Sequence, residues 1–275
     1  MLPKSSSRPH ALVTGASSGI GAAFAERLSH DGYDLIVVAR RREKLEALSE
    51  RIQNDRQAAG ASVEVLVADL SRSADLRAVE KHITDDKALE MLVNNAGFGG
   101  YMPFAQLDPD KAEELVNLQV LAVTRLTRAA LPGMLARGKG AIINVSSRLA
   151  FSGSLGSGQL PKRATYAATK AYINTFAQLL NSELDGTGVQ VQALCPGVVS
   201  TEFHERMGMD SKQYPPAIVM KPEDVVAASL AGLKSGEVIC LPALDDPALL
   251  TQIHESERRL FETTRSGSLS RRYGS

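Results

Sequence analysis

Short runs of β-branched and aliphatic residues alternate along the chain with longer stretches whose apolar positions recur every three to four residues. The pattern predicts a strand over 10–14 and a helix over 20–30. A second strand over 34–39 (DLIVVA) precedes a charged, periodic helix over 44–57. A third strand over 62–68 (SVEVLVA) leads to a helix over 74–85, and a short apolar strand follows at 91–94. Asp108 caps a long helix with Pro109 in its first turn, and Gly138 lies just past its end. A fifth strand over 141–146, a helix over 165–184 and a sixth strand over 189–195 come next. A helix over 222–233 and a strand over 238–241 close the series.

Such alternation implies a doubly wound α/β fold, a mainly parallel sheet with helices on both faces. No linker rich in Pro, Gly or Ser divides the pattern, and no solenoid period repeats in it, so a single domain is expected over 10–242. Residues 1–9 read as a flexible polar tail. Residues 243–275 read as a C-terminal helix over 247–263 followed by a polar tail, with Leu249, Leu250, Ile253, Leu260 and Phe261 as the apolar positions of the helix.

Composition narrows the class of function. Hydrophobic residues make up 44% of the 275 residues and charged residues 23%, enough for a large core. Lys plus Arg and Asp plus Glu both number 31. A broad nucleic-acid footprint would need a basic excess. No apolar run reaches the roughly 18 residues of a membrane span, and the first ten residues lack the apolar stretch of a signal peptide. Cys195 and Cys240 show no metal or redox spacing. No metal site is expected, and two buried thiols point to a reducing compartment, the cytoplasm.

Between the first strand and helix lies Thr14-Gly15-Ala16-Ser17-Ser18-Gly19-Ile20-Gly21. Glycines there let backbone approach a pyrophosphate, and a helix N-terminus supplies amide donors and a positive dipole end. The G-x-x-x-G-x-G spacing is a weak signal alone; its place after the first strand, opening a helix, gives it weight. About 20 residues on, dinucleotide folds carry an acid for a ribose 2′-hydroxyl or a cation for a 2′-phosphate. The second strand here ends in Ala39 and Arg40, so the expected cofactor is NADP(H), with Arg40 on the phosphate. Arg41, Arg42 and Lys44 read as a solvated helix start.

Tyr166 and Lys170 sit four apart in a predicted helix and share a face beside the apolar stripe of Ile173, Phe176, Leu180 and Leu184. A nearby ammonium favours the phenolate and lowers a tyrosine pKa from about 10. The pair is thus a candidate proton donor and acceptor. Asn94-Asn95-Ala96-Gly97 ends the fourth strand, Ser146-Ser147 the fifth, and Asp69 the third. All lie at the C-terminal sheet edge, where open α/β sheets bind ligands.

In this order, T-G-x-x-x-G-x-G, the Asp69 turn, N-N-A-G, the paired serines, Y-x-x-x-K and the Pro196-Gly197 to Thr201 segment resemble the short-chain dehydrogenase/reductase family over residues 14–201. The resemblance implies a seven-stranded Rossmann-type sheet and hydride transfer between a nicotinamide cofactor and a small carbonyl or alcohol substrate. It implies Tyr166 as acid/base, Lys170 as the ribose contact that tunes it, and Ser147 as the residue orienting the substrate oxygen. Cofactor contacts are implied for Gly15, Ser17, Ser18, Gly19, Ile20 and Gly21 on the loop. Asp69 and Asn95 would line the adenosine side, and Thr201 would contact the nicotinamide amide. Leu70, Ala96, Gly97, Pro196, Gly197 and Val199 are further implied cofactor contacts. The family commonly forms dimers or tetramers through the helices spanning 110–137 and 165–184, so a homodimer or homotetramer is expected.

Two departures stand out. The family's proton-relay asparagine aligns with Gln119, which the stripe of Leu115, Leu118, Ala122 and Leu126 carries inward, whereas Asn117 lies about 200° away around the helix. Ser147 and Tyr166 are also 19 positions apart, which leaves an extra segment over 151–163 beside the substrate entrance. It reads either as part of that entrance or as a tolerated surface insertion. A flap over 202–220, with Phe203, Met207, Met209, Tyr214, Pro215, Pro216 and Val219, favours a partly apolar substrate. Two other readings stay open: a cofactor-binding sensor or scaffold without turnover, and a non-redox epimerase or lyase on the same site.

Overall fold

The computed structural model describes residues 8–58, 60–156, 160, 162–205 and 214–274. Its first elements are β1 (His10–Thr14), α1 (Gly19–His30), β2 (Asp34–Ala39), α2 (Arg42–Asn54), β3 (Val63–Val67), α3 (Ser73–Asp85) and β4 (Leu89–Asn94). Then come α4 (Pro109–Val116), α5 (Ala122–Arg137), β5 (Gly140–Val145), α6 (Ala164–Glu183), β6 (Val189–Leu194), β7 (Val198–Val199) and α7 (Glu202–Glu205). The last are β8 (Val219–Met220), α8 (Pro222–Lys234), β9 (Ile239–Cys240) and α9 (Ala248–Thr263).

Seven strands form one parallel sheet in the order β3-β2-β1-β4-β5-β6-β9. The inner strands are buried almost without a break, β5 at every position, because helices cover both faces. Edge strand β3 (VEVLV) has no fully buried residue. α2 shows the helical counterpart: Leu45, Leu48, Ser49 and Ile52 recur on one face and are its buried residues. α5 stops at Gly138, whose left-handed φ of 64° suits a residue without Cβ.

Strand order reverses between β1 and β4, which are neighbours although two strands separate them in sequence. That switch point opens a crevice at the C-terminal strand ends, where the phosphate loop and the Asn94–Gly97 run both emerge. Two features lay beyond the sequence pattern. The long helix predicted after Asp108 contains a π-helical turn at Asn117–Leu121. A two-residue parallel pair, β7 with β8, joins Val198 to Val219 and Val199 to Met220. Strands that short carry no readable period.

The chain divides into two compact units, one ending at Pro242 and the other beginning at Ala243. In the second, α9 exposes Leu249, Ile253, Leu260 and Phe261. Among the described residues no helix is long and apolar enough to cross a membrane.

Candidate active site

The switch-point crevice is a cavity of about 660 Å³ that runs from the phosphate loop to Tyr166. Gly15, Ser17, Ser18, Gly19 and Ile20 line one end. Arg40, Asp69 and Leu70 flank it, and Asn95, Ala96 and Gly97 form its floor. Pro196, Gly197, Val199 and Thr201 border it from the loop after β6, and Ser147, Tyr166 and Lys170 close the far end.

The loop owes its shape to glycine at three points. Gly15 and Gly19 have φ of 66° and 58°, left-handed values that Cβ-bearing residues adopt at a cost. A Cβ at Gly19 would stand 2.8 Å from Thr201 Cγ2. Gly21 corrects an expectation: it is buried behind the loop and does not line the cavity. A Cβ there would meet Gly15 O and Asn95 Nδ2 at 2.5 Å, so this glycine serves packing, not ligand approach. Asn95 Nδ2 donates to Thr14 O at 2.9 Å, and Thr14 Oγ1 accepts from the Asn95 and Ala96 amides at 2.9 and 3.0 Å. Ser18, the N-cap of α1, caps no amide with its side chain. Gly19 and Ile20, the first residues of α1, line the crevice, so the positive helix end lies beside it, an arrangement that fits a pyrophosphate.

The cations divide unexpectedly. Arg40 is 57% exposed and lies 3.6 Å from Asp69 Oδ2 and 3.4 Å from Glu114 Oε1. Arg41 is not a solvated helix start. Its Nη2 donates to Ser17 Oγ and to Ser18 Oγ, each at 2.9 Å, and its Nη1 to Glu202 Oε2 at 2.8 Å. Arg41 lines the cavity beside Arg40. Pattern alone missed it, because an arginine opening a charged helix looks like any solvated one.

At the other end α6 presents Tyr166 and Lys170, only 5% exposed each, one turn apart. Burial pushes the tyrosine up to about 12, although the neighbouring Ser147 and Tyr101 hydroxyls pull the other way. Burial holds Lys170 down to about 7, and its Nζ donates to Val145 O at 2.8 Å. The ammonium was expected to lower the tyrosine; desolvation of the phenol dominates instead. The two serines separate by direction. Ser146 Oγ donates to Lys170 O at 3.0 Å, whereas Ser147 faces the tyrosine and also accepts from Leu149 N at 3.1 Å.

Gln119 is fully buried, as the stripe predicted, and Asn117 bonds Glu113 at the surface. Yet Gln119 does not line the cavity. Its Nε2 donates to Phe98 O at 2.7 Å and its Oε1 accepts from Thr169 Oγ1 at 3.4 Å. The amide joins the loop after β4 to α6; it does not line the cavity as the aligned asparagine was expected to.

Tyr101 was not foreseen. Its ring stands edge-on to Tyr166 with centroids 5.1 Å apart, and Phe203 lies 6.0 Å from Tyr166. Nothing in sequence ties a tyrosine in a glycine-rich loop to a helix 65 positions later. Phe203 and Tyr214 of the expected flap line the cavity, joined by Ile218; Met207 and Met209 lie outside the described residues. From the extra segment Leu160 reaches the cavity, while Arg163 Nε donates to Ser152 Oγ at 2.8 Å and ties the segment's two ends together. Both cysteines are buried and unbridged.

A family model described as short chain dehydrogenase matches residues 9–212. A short-chain dehydrogenase from Sphingobium yanoikuyae, solved in complex with NADPH, is 36% identical, with a TM-score of 0.88 over 95% of this chain and 98% of that one. A bulky-bulky ketone specific alcohol dehydrogenase from Comamonas testosteroni is 31% identical, with a TM-score of 0.86 over 97% of this chain and 99% of its own. The inactive hydroxysteroid dehydrogenase-like protein 1 of Homo sapiens is 33% identical over 195 residues, 70% of this chain. The chain spans 56% to 61% of the length of the curated relatives described as hydroxysteroid dehydrogenase-like protein 1, with or without the word inactive.

Proposed function

The chain belongs to the short-chain dehydrogenase family, and from that premise we propose that it is an NADP(H)-dependent oxidoreductase interconverting a carbonyl and an alcohol, with Tyr166 as acid/base. The observation that carries the reading is the meeting of Ser147, Tyr166 and Lys170 in the cavity that the phosphate loop opens. Bound there, the nicotinamide cofactor supplies or accepts the hydride. Arg40 and Arg41 are the cations available to a 2′-phosphate, and the NADPH complex of the Sphingobium relative supports that choice.

In the reducing direction the Tyr166 hydroxyl gives its proton to the substrate oxygen, and Ser147 holds that oxygen by a hydrogen bond. Lys170, titrating near neutrality, stands within the cavity to bind a ribose hydroxyl and restore the proton. Gln119 is a positioning residue: it fixes the Phe98 carbonyl against Thr169, next to Lys170. Tyr101, Phe203, Leu160 and Ile218 give the substrate end a largely apolar wall. Together with the Comamonas relative, that wall supports a bulky, partly apolar carbonyl compound as substrate. Exposed Leu121, Leu135, Tyr172 and Leu179 on α5, α6 and the turn before α5 support a homo-oligomer through those helices. The two buried free thiols support a reducing location, the cytoplasm.

The test is incubation with NADPH or NADP and a panel of bulky ketones and alcohols, followed at the nicotinamide absorbance band. Turnover with NADPH is the expected result. A second reading, cofactor binding without turnover, is favoured by the human relative's description as inactive. Tight NADPH binding with no turnover across the panel would establish it instead.

A further inference from the structure

We propose that Glu202 tunes the cofactor preference of this site, acting as an internal anion that competes with a cofactor 2′-phosphate for Arg41 and Lys44. The proposal rests on the NADP(H) reading above. One carboxylate engages both cations: Oε2 accepts from Arg41 Nη1 at 2.8 Å, and Oε1 accepts from Lys44 Nζ. The other arm of the guanidinium is bonded to Ser17 and Ser18, so Arg41 is held at the mouth of the phosphate loop with one face toward the cavity.

Glu202 is no wandering surface partner. It opens α7 directly after Thr201, and Thr201 packs so closely on Gly19 that a Cβ there would be 2.8 Å from its Cγ2. The backbone that carries the carboxylate is thereby fixed to the loop that carries the hydroxyls. Arg40 is placed differently, exposed and at 3.4–3.6 Å from two carboxylates.

A phosphate monoester offers three acceptor oxygens and more charge than a carboxylate, so it prevails at a guanidinium that both can reach. It does so against two costs. Glu202 gives up its pairs with Arg41 and Lys44, and its charge stays within a few ångströms of the phosphate. A cofactor with a free 2′-hydroxyl disturbs neither pair. Glu202 therefore weakens NADPH selectively and narrows its advantage over NADH. The Arg41–Glu202 pair is about one-third exposed on each side, which keeps the effect moderate.

The test is equilibrium titration of the wild type, Glu202→Gln, an Arg41→Ala/Lys44→Ala variant and the triple variant with NADPH and with NADH, read by nicotinamide fluorescence without substrate. Circular dichroism and thermal melts confirm that each variant is folded. Glu202→Gln is expected to tighten NADPH about two- to fivefold, the worth of a partly exposed ion pair, and to leave NADH unchanged. The gain should vanish in the background lacking Arg41 and Lys44. Equal weakening of both cofactors by Glu202→Gln would overturn the proposal, since the pair would then be a clasp over the common pyrophosphate. No change in either would overturn it too. A wild type that binds NADH more tightly than NADPH overturns the NADP(H) reading itself; the competition then stands or falls on the Glu202→Gln shift alone.

Discussion

At the phosphate end of the cavity the wall is backbone, held by glycines and by the Thr14–Asn95 hydrogen bonds. At the Tyr166 end it is side chains: Tyr101, from 65 positions before the tyrosine, and Phe203 and Tyr214, from 37 and 48 positions after it. The first end tolerates few sequences, because a Cβ added at Gly15, Gly19 or Gly21 would stand only 2.5–2.8 Å from neighbouring atoms. The second needs only rings and aliphatic groups of suitable volume. A common cofactor chemistry thus sits beside a wall free to vary with substrate. Lys170 and Tyr166 lie where the two ends meet, and their protonation follows from burial more than from each other.

The largest expected effect breaks the substrate end without touching the cofactor end. Tyr166→Phe keeps the ring against Tyr101 and removes one hydroxyl. Turnover should fall by about 10²–10⁴-fold, the usual worth of general acid–base catalysis, while NADPH affinity survives. Near-native turnover would refute the acid/base role.

The converse break is at Arg41. Losing a charge-assisted phosphate contact costs roughly 1.5–3 kcal/mol, so Arg41→Ala should weaken NADPH about 10- to 100-fold and NADH little. Arg40→Ala, measured beside it, should weaken NADPH less, since Arg40 is 57% exposed against 34% for Arg41, and Arg41 is the one held on the loop hydroxyls. Titrations in which Arg40→Ala alone abolishes the preference would reverse the order given to the two arginines.

A smaller effect is expected where the two ends are joined. Gln119→Leu strips the Phe98 carbonyl of its donor, a buried loss of about 1–3 kcal/mol that should appear in thermal stability. Turnover should drop with it, and Gln119→Asn, one methylene too short to span Phe98 and Thr169, should rescue only in part. If Gln119→Leu abolishes turnover yet melts like the wild type, the amide carries protons and is not a tie.

The subtlest test is pH. Lys170 titrates near 7 in the folded protein and at 10.5 when unfolded, so between these values the unfolded chain binds more protons. Lys170 therefore makes stability rise with pH across that window. Tyr166, raised from 10.0 to about 12, acts oppositely above it: the folded state keeps its proton longer, and stability falls as pH climbs. Melts of Lys170→Met should lose the rise relative to wild type; an unchanged slope would mean that Lys170 is solvated.

The alternation of apolar runs by itself determined the parallel sheet, because strands buried on both faces must read as continuous β-branched runs and amphipathic helices must read with a period near 3.6. Local chemistry likewise made the phosphate loop, the Tyr166–Lys170 pair and the inward turn of Gln119 legible, since each is a spacing within one element. Tertiary structure alone decided the rest. It placed Tyr101 edge-on to Tyr166, set Arg41 rather than Arg40 on the loop hydroxyls, and brought Glu202 across 161 positions to meet it. It spent the Gln119 amide on Phe98 and Thr169, and it let burial override the ammonium's pull on the tyrosine. Periodicity encodes which face of an element is buried, whereas a contact between side chains distant in sequence depends on packing that no single element's pattern contains.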